Sequence, residues 1–269
     1  MGKRADGYVC WAQAVELGGM GHTARALTIL TDVGRRARGA DDGVLVSLAG
    51  STRASLLRQA GRHRAAAGID GAALSAVLSG QGDAELPGAA EWHRAAVLDA
   101  VVGLAADHLG RLHLAAAGRL LDRARAVVAP DEGRADEGRA DEGWLGGRRP
   151  RLRIAWVSAE LAMYAGDPAR ATEHAREASE LAAVDGTPER HRVKTMLIAA
   201  AAAATAGDPA RANGLATEVT RRARDAALLP LEWASLALRQ GIDPADAQVA
   251  GDLSRTRAGL IRRGVPFEP

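Results

Sequence analysis

Seven histidines and one cysteine are the residues best suited to metal binding or nucleophilic catalysis in this sequence of 269 residues. A helical zinc site typically has two histidines at i and i+4 with a third ligand, and no histidine pair has that spacing. His108 and His113 flank a turn at Gly110, so we expect them to point in different directions. A lone cysteine such as Cys10 is more often a small buried residue than a nucleophile. We therefore predict no metal site, no cofactor and no catalytic residue.

Anion binding has two sets of candidates. Gly-Asp-Pro turns at 166–168 and 207–209 precede predicted helices, but no Gly-rich loop with a lysine accompanies them, so each Asp is interpreted as a helix cap.

Arginine clusters at 35–38, 148–153 and 221–224 could contact phosphates, and Trp144 and Trp156 flank the second cluster. The net charge is only +2 and each cluster lies near a predicted helix end, where arginine favourably meets the helix dipole. Nucleic-acid binding is therefore the less favoured alternative.

The elements that must position these residues are predicted to be α-helices throughout. The alanine-rich stretch 169–182 places Ala171, Ala175, Ala178 and Ala182 on one face, whereas arginine and glutamate occupy the other. Alanine favours helix, and β-branched and aromatic residues are sparse. We predict an all-α chain of about twelve helices with no sheet.

Internal repetition is the strongest pattern in the chain. The heptapeptide Ala-Gly-Asp-Pro-Ala-Arg-Ala occurs at 165–171 and again at 206–212, and weaker copies of its turn begin at Gly21, Gly61, Gly110 and Gly241. A small residue lies seven positions before each of the six turn glycines. These small residues are Ala14, Ala54, Gly103, Ala159, Ala200 and Ala234. Minimal side chains at these positions predict close contact between paired helices.

The pattern consists of a small residue, a glycine seven positions later and an alanine five positions after the glycine. It resembles the tetratricopeptide repeat. The stretch 102–106 is the best local match, and the resemblance extends over most of the chain. Most copies are longer than the 34-residue period of that family. The resemblance implies a right-handed solenoid of about six antiparallel helix pairs whose groove binds a partner. The abundance of Ala, Gly and Arg additionally suggests a GC-rich bacterial genome of actinobacterial type.

One segment does not fit the array. The pentapeptide Asp-Glu-Gly-Arg-Ala is repeated from Asp131 to Ala140, and its regular glycines disfavour a helix. We predict a flexible low-complexity loop over 130–147, with an acidic docking segment as the alternative. Helical blocks at 1–129 and 148–269, of about three pairs each, are predicted to form one continuous array.

The resemblance also implies which residues line the groove, because in that family they lie at fixed distances before the turn glycine. Aromatic and arginine side chains among them are typical anchors of interfaces. The predicted groove residues are Tyr8, Trp11, Ser51, Ser55, Arg58, Asp107, His108, Arg153, Trp156, Glu160, Tyr164 and Lys194. The alternative is that Trp11 and Trp156 simply fill the core between small alanines.

These observations predict a non-catalytic scaffold or adaptor that binds a protein or peptide partner in the groove. A regulatory or sensor module that takes a small ligand or nucleic acid is the alternative. The N-terminus lacks the apolar segment of a secretory signal, and the longest apolar run, 196–206, is too short to span a membrane. We therefore expect a cytoplasmic protein without membrane association.

Overall fold

The computed structural model describes residues 2–80, 88–128 and 143–267. Within these ranges the chain forms twelve α-helices, one π-helical turn at Trp144–Arg148 and no strand, which confirms the all-α prediction. The helices are α1 Gly2–Gly19, α2 Thr23–Gly39, α3 Gly43–Arg58, α4 His63–Ser79, α5 Ala89–Gly110, α6 Leu114–Val128, α7 Arg149–Tyr164, α8 Pro168–Ala183, α9 Glu189–Thr205, α10 Pro209–Asp225, α11 Leu229–Ile242 and α12 Ala247–Arg262. Of the helices in the described ranges, none has the length and apolar character needed to cross a membrane.

The repeated heptapeptide forms the same turn both times. Gly166 and Gly207 end their helices with φ of 70° and 79°, a left-handed conformation that glycine adopts without strain. The side chains of Asp167 and Asp208 each accept a hydrogen bond of 3.0 Å from the backbone N–H three residues later. A proline follows in the first turn, where its missing N–H does no harm. The interpretation of these aspartates as helix caps is confirmed.

The helices are arranged in two layers. Each helix packs against the next along the chain, and the odd-numbered helices also contact one another in series from α1 to α11. The odd-numbered helices therefore form one continuous layer, and the even-numbered helices pack on it.

The contacts between layers are made by small side chains, as predicted. Five of the six small residues before the turn glycines are buried, and Ala234 is partly buried. Ala159 and Ala200 are 0% exposed, and Ala159 lies in a core cluster with Ala171, Ala175 and other alanines of α8. The alanine faces let neighbouring helices approach closely, so a larger side chain at one of these positions would push two helices apart.

Ala159→Leu and Ala200→Leu are each expected to lower the free energy of unfolding by about 1–3 kcal/mol, because overpacking a close helix contact forces the pair apart. Glu173→Ala and Arg176→Ala, at exposed positions of α8, are matched controls and should change it by less than about 0.5 kcal/mol. Urea unfolding midpoints at constant slope give the comparison. Leu variants that unfold at the wild-type urea concentration would contradict the repeat alignment.

The two ends of the chain meet, a contact that the sequence did not predict. The backbone N–H of Ala24 in α2 donates to the carbonyl oxygen of Arg263, 2.9 Å away. The Arg263 guanidinium donates to the carbonyl oxygen of Met20 at 2.8 Å, and Leu260 of α12 lies close against Gly21. The twelve helices therefore form a closed circuit, in which the end of α12 lies against the turn between α1 and α2.

The predicted loop at 130–147 is only partly covered by the structure, since residues 130–142 lie outside the described ranges. Its last residues are ordered as the π-helical turn, in which Gly146 and Gly147 are buried. The Gly146 N–H donates to Glu91 Oε1 at 3.0 Å, and Leu145 packs against the core of the first helices. A Cβ on Gly146 would lie 2.5 Å from Glu91 Cγ, so glycine is needed for this contact. Residues 143–147 of the predicted loop therefore pack against the helices.

Candidate functional site

The candidate site is a group of charges on the odd-numbered helices, completed by one residue of α4. We call it the inner charge cluster. Four arginines face three aspartates in it, which is an unusual concentration of charge for side chains with so little exposure. Its members are Arg58, Asp70, Asp99, Asp107, Arg149, Arg153 and Arg190.

Asp99 of α5 binds two arginines of α7. Arg149 and Arg153 are four residues apart and so lie on one helix face, from which both donate to this carboxylate. The Arg149 bond is 2.7 Å long, and the Asp99 side chain is only 4% exposed. Burial alone would raise the pKa of Asp99, but the charges and hydrogen bonds of both arginines outweigh it and hold that pKa below its usual range. Asp99 is therefore an anion that ties α5 to α7.

Arg58 of α3 joins two completely buried carboxylates. It donates to Asp70 of α4 at 2.5 Å and to Asp107 of α5 at 2.8 Å. Burial and the charge of Asp107 raise the pKa of Asp70 to about 7, although Arg58 opposes the rise. One guanidinium thus serves two acids, and Asp70 holds its proton more tightly than an exposed carboxyl.

This raised pKa predicts that the contribution of Asp70 to stability falls as pH increases from about 4 to about 7, whereas the lowered pKa of His191 contributes in the opposite direction up to about pH 6.5. The unfolded chain releases the Asp70 proton near pH 3.8, whereas the folded chain keeps it until about pH 7. Folding is therefore favoured by proton binding in this window, and the contribution lost between about pH 5 and 7 is on the order of 2–3 kcal/mol. Asp70→Asn should remove that part of the pH dependence in urea unfolding. An unchanged pH dependence in the variant would contradict this assignment.

Arg190 is the least compensated member of the cluster. It is half-buried and reaches from α9 to the end of α1, where a Cβ on Gly19 would lie 2.9 Å from its Cδ. Within the described part of the chain its guanidinium makes no ion pair or hydrogen bond. Burial and the positive charges of Arg149 and Arg153 lower the pKa of Arg190, with Glu16 and Asp99 opposing. Arg149 also keeps a buried Nη1 without a hydrogen-bond partner.

His191, the next residue along α9, responds to the same excess of positive charge. Burial and the charges of Arg190, Arg149 and Arg153 lower its pKa to about 2, so the imidazole is neutral. Its ring stands edge-on to Trp144 and stacks on Trp156, with centroids 4.7 and 5.7 Å apart. The surroundings disfavour another cation and would favour an anion.

Four of the predicted groove residues lie in the core instead. They are Trp11, Ser51, Asp107 and Trp156. The Trp11 Nε1–H donates to Thr52 Oγ1 and the Trp156 Nε1–H to Thr195 Oγ1, both at 2.9 Å, so both indoles are satisfied internally. The alternative that the tryptophans fill the core is correct, because the surrounding alanines leave space that only large side chains can occupy.

The other eight predicted groove residues are at least partly exposed. Arg58 and Arg153 belong to the inner charge cluster, and Glu160 forms an ion pair of 3.1 Å with Lys194. Tyr164 is 59% exposed. The remaining three, Tyr8, Ser55 and His108, are half-buried.

Sequence reasoning missed three members of the inner charge cluster, namely Asp70, Asp99 and Arg190, and it named Arg149 only within the arginine cluster at 148–153. The arginine spacing at 149 and 153 was a usable signal, since it places two cations on one helix face. The family resemblance places groove residues only on the odd-numbered helices, and Asp70 lies on an even-numbered one. Arg190 precedes Gly207, the glycine of the next turn, by more residues than any groove position of that family does. No local pattern identifies either of them.

His108 and His113 face each other, so the expectation that they point apart is wrong. Leu112 adopts a left-handed conformation with φ of 61°, which turns the chain back so that the two Nδ1 atoms lie 3.3 Å apart. Within the described ranges, no three side chains of His, Cys, Asp or Glu are grouped so that they could hold a metal ion.

One of the three arginine clusters is largely neutralised by neighbouring acids. At 221–224, Arg221 pairs with Glu218 and Asp225, and Arg224 pairs with Glu232 and Asp252. Surface ion pairs of this kind leave little net charge for a phosphate backbone. At 35–38, Arg35 and Arg36 share Asp32, so the positive charge of that cluster is compensated only in part. The arginines at 148–153 differ, because they reach into the inner charge cluster.

The sequence matches no protein-family model, and no curated protein is significantly similar to it.

Proposed function

We propose that this protein is a non-catalytic binding module and that the inner charge cluster receives an acidic segment of a partner protein. The observation that carries the proposal is the uncompensated guanidinium of Arg190 beside Arg149 and Arg153. Charge-assisted hydrogen bonds from arginine to carboxylates are strong and directional, so a Glu- or Asp-rich segment would satisfy these donors. We also propose that the protein acts in the cytoplasm.

The architecture proposed for this module is a solenoid similar to the tetratricopeptide arrays, with six helix pairs. The serial contacts among the odd-numbered helices support it, because the first helix of each pair lines the inner face in such arrays. The buried small residues before the turn glycines support it as well. The partner would contact the odd-numbered helices.

The second candidate is a regulatory or sensor module for a small anionic ligand. It is favoured by the closed circuit of helices, since contact between Arg263 and Met20 at the two ends encloses the inner face more than an open array would. A peptide and a small ligand would contact the same arginines. The two candidates are therefore distinguished by comparing the affinity for an acidic peptide with the affinity for a small anion.

Binding of fluorescein-labelled deca-glutamate, followed by fluorescence anisotropy, tests the proposal. We expect saturable binding that weakens as salt increases, and at least about tenfold weaker binding by Arg190→Gln. Arg211→Gln removes the same charge from an exposed position of α10 and is the matched control. Both variants should keep the wild-type circular dichroism spectrum.

Equal loss of affinity in the two variants would show that binding depends on net charge alone and would contradict the proposal. Glutarate or citrate that binds more tightly than the peptide would favour the sensor candidate. A partner retained from cell extract by wild type but not by Arg190→Gln could then be identified by mass spectrometry.

A further inference from the structure

A cavity of about 330 Å³ lies between two turns of the chain, and none of the residues that line it belongs to the inner charge cluster. We call it the edge cavity. One wall is the turn between α3 and α4, with sequence Gly-Arg-His-Arg, and the other is the turn between α5 and α6, with sequence Gly-Arg-Leu-His. Its lining residues are Gly61, His63, Arg64, Gly110, Arg111 and His113. The two related turns thus contribute two arginines, two histidines and no carboxylate.

The glycines allow the two turns to approach each other. Gly61 has φ of 83°, which reverses the chain between α3 and α4. The ring of His63 lies directly over Gly110, where any Cβ would collide with three atoms of the imidazole. His63 Nδ1 is 3.5 Å from Asp107 Oδ1, but that carboxylate is already bound by Arg58.

The positive charges that line the cavity are not balanced by neighbouring carboxylates. Arg64 and Arg111 make no ion pair within the described residues, and His113 is exposed. Burial and the charges of His113, Arg111 and Arg119 lower the pKa of His108, against the pull of Asp107. Helix α4 begins at this cavity, and no side chain caps its N-terminus. Its first N–H groups therefore add donors to those of the side chains.

We propose that the edge cavity binds a phosphate group. Guanidinium groups from two turns can donate to phosphate oxygens from opposite walls, and an imidazole N–H adds a further donor. The lining contains no carboxylate, and the nearby Asp107 carboxylate is bound by Arg58, so repulsion of an anion is weak. The chemistry fits a phosphate on a small molecule or on a protein side chain, and the experiment separates these sources.

Isothermal titration with inorganic phosphate tests this site in the whole chain. We expect saturable binding at one site and at least about tenfold weaker binding by Arg64→Ala/Arg111→Ala. Arg123→Ala/Arg211→Ala removes two exposed arginines from α6 and α10 and is matched in net charge. AMP and a phosphoserine peptide are titrated in parallel, and the tighter of the two indicates the natural source of the phosphate.

Equal weakening in the two double variants, or equal competition by chloride, would overturn the proposal, as would a wild-type chain that shows no saturable binding. Arg190→Gln should bind phosphate as wild type does, because Arg190 contacts α1 and does not line the edge cavity. Failure of the deca-glutamate experiment and failure of this one are therefore distinguishable.

Discussion

Asp99→Ala is expected to lower the free energy of unfolding by about 3–5 kcal/mol, because it leaves two buried arginines without their counter-ion. Arg149 and Arg153 are 12% and 18% exposed and cannot recover full hydration in the folded chain. Asp122→Ala is the control, since Asp122 is 74% exposed and pairs with Arg125 on the same helix. It should cost less than about 1 kcal/mol. Urea unfolding of the three proteins at neutral pH gives the comparison.

A triple variant separates the stability of the inner charge cluster from its role in binding. Asp99→Leu/Arg149→Met/Arg153→Met replaces Asp99 and both of its arginines with apolar side chains, and such a replacement of a complete buried ion group is often neutral or stabilising. We expect the triple variant to unfold near the wild-type urea concentration and to lose affinity for deca-glutamate. If the triple variant loses as much stability as Asp99→Ala, the two arginines stabilise the fold through packing as well as through their charge. Retained affinity would show that the peptide binds elsewhere.

The parts of the fold that sequence could predict are those decided locally. The cap at Asp167 and the left-handed Gly166 follow from adjacent residues, so the turn was correctly placed from seven letters. The burial of Ala159 follows from its fixed distance to that turn. Each of these depends on one helix and its neighbour in sequence.

The parts that sequence could not predict depend on distant residues. Arg190 meets Gly19 and Arg263 meets Met20 only because twelve helices return to their starting point, and small errors in each crossing angle would separate these pairs. Trp11 and Trp156 were assigned to the groove because their positions matched those of another family. The space between the alanine faces of the packed helices decides their orientation instead. The spacing of residues in the sequence gives no information about that space.

Gly103→Ala is expected to lower the free energy of unfolding by about 3 kcal/mol, although Gly→Ala inside a helix usually stabilises. A Cβ at this position would lie 2.7 Å from Asp70 Cγ and closer still to the Oδ2 atom. The carboxylate cannot move aside without breaking its 2.5 Å bond to Arg58. Gly68→Ala in α4 is the control, because no atom lies within 4 Å of its added Cβ. It should raise stability by up to about 1 kcal/mol.

A double-mutant cycle between Gly103 and Asp70 shows whether the collision itself is the cause. Asp70→Ala removes the carboxylate that occupies the space, so Gly103→Ala should cost much less in that background. The coupling between the two substitutions is expected to be about 1–3 kcal/mol in urea unfolding. Additive effects, or a Gly103→Ala variant as stable as Gly68→Ala, would place Asp70 elsewhere. Arg58 would then face Asp107 alone, and the pH dependence assigned to Asp70 would have to come from another group.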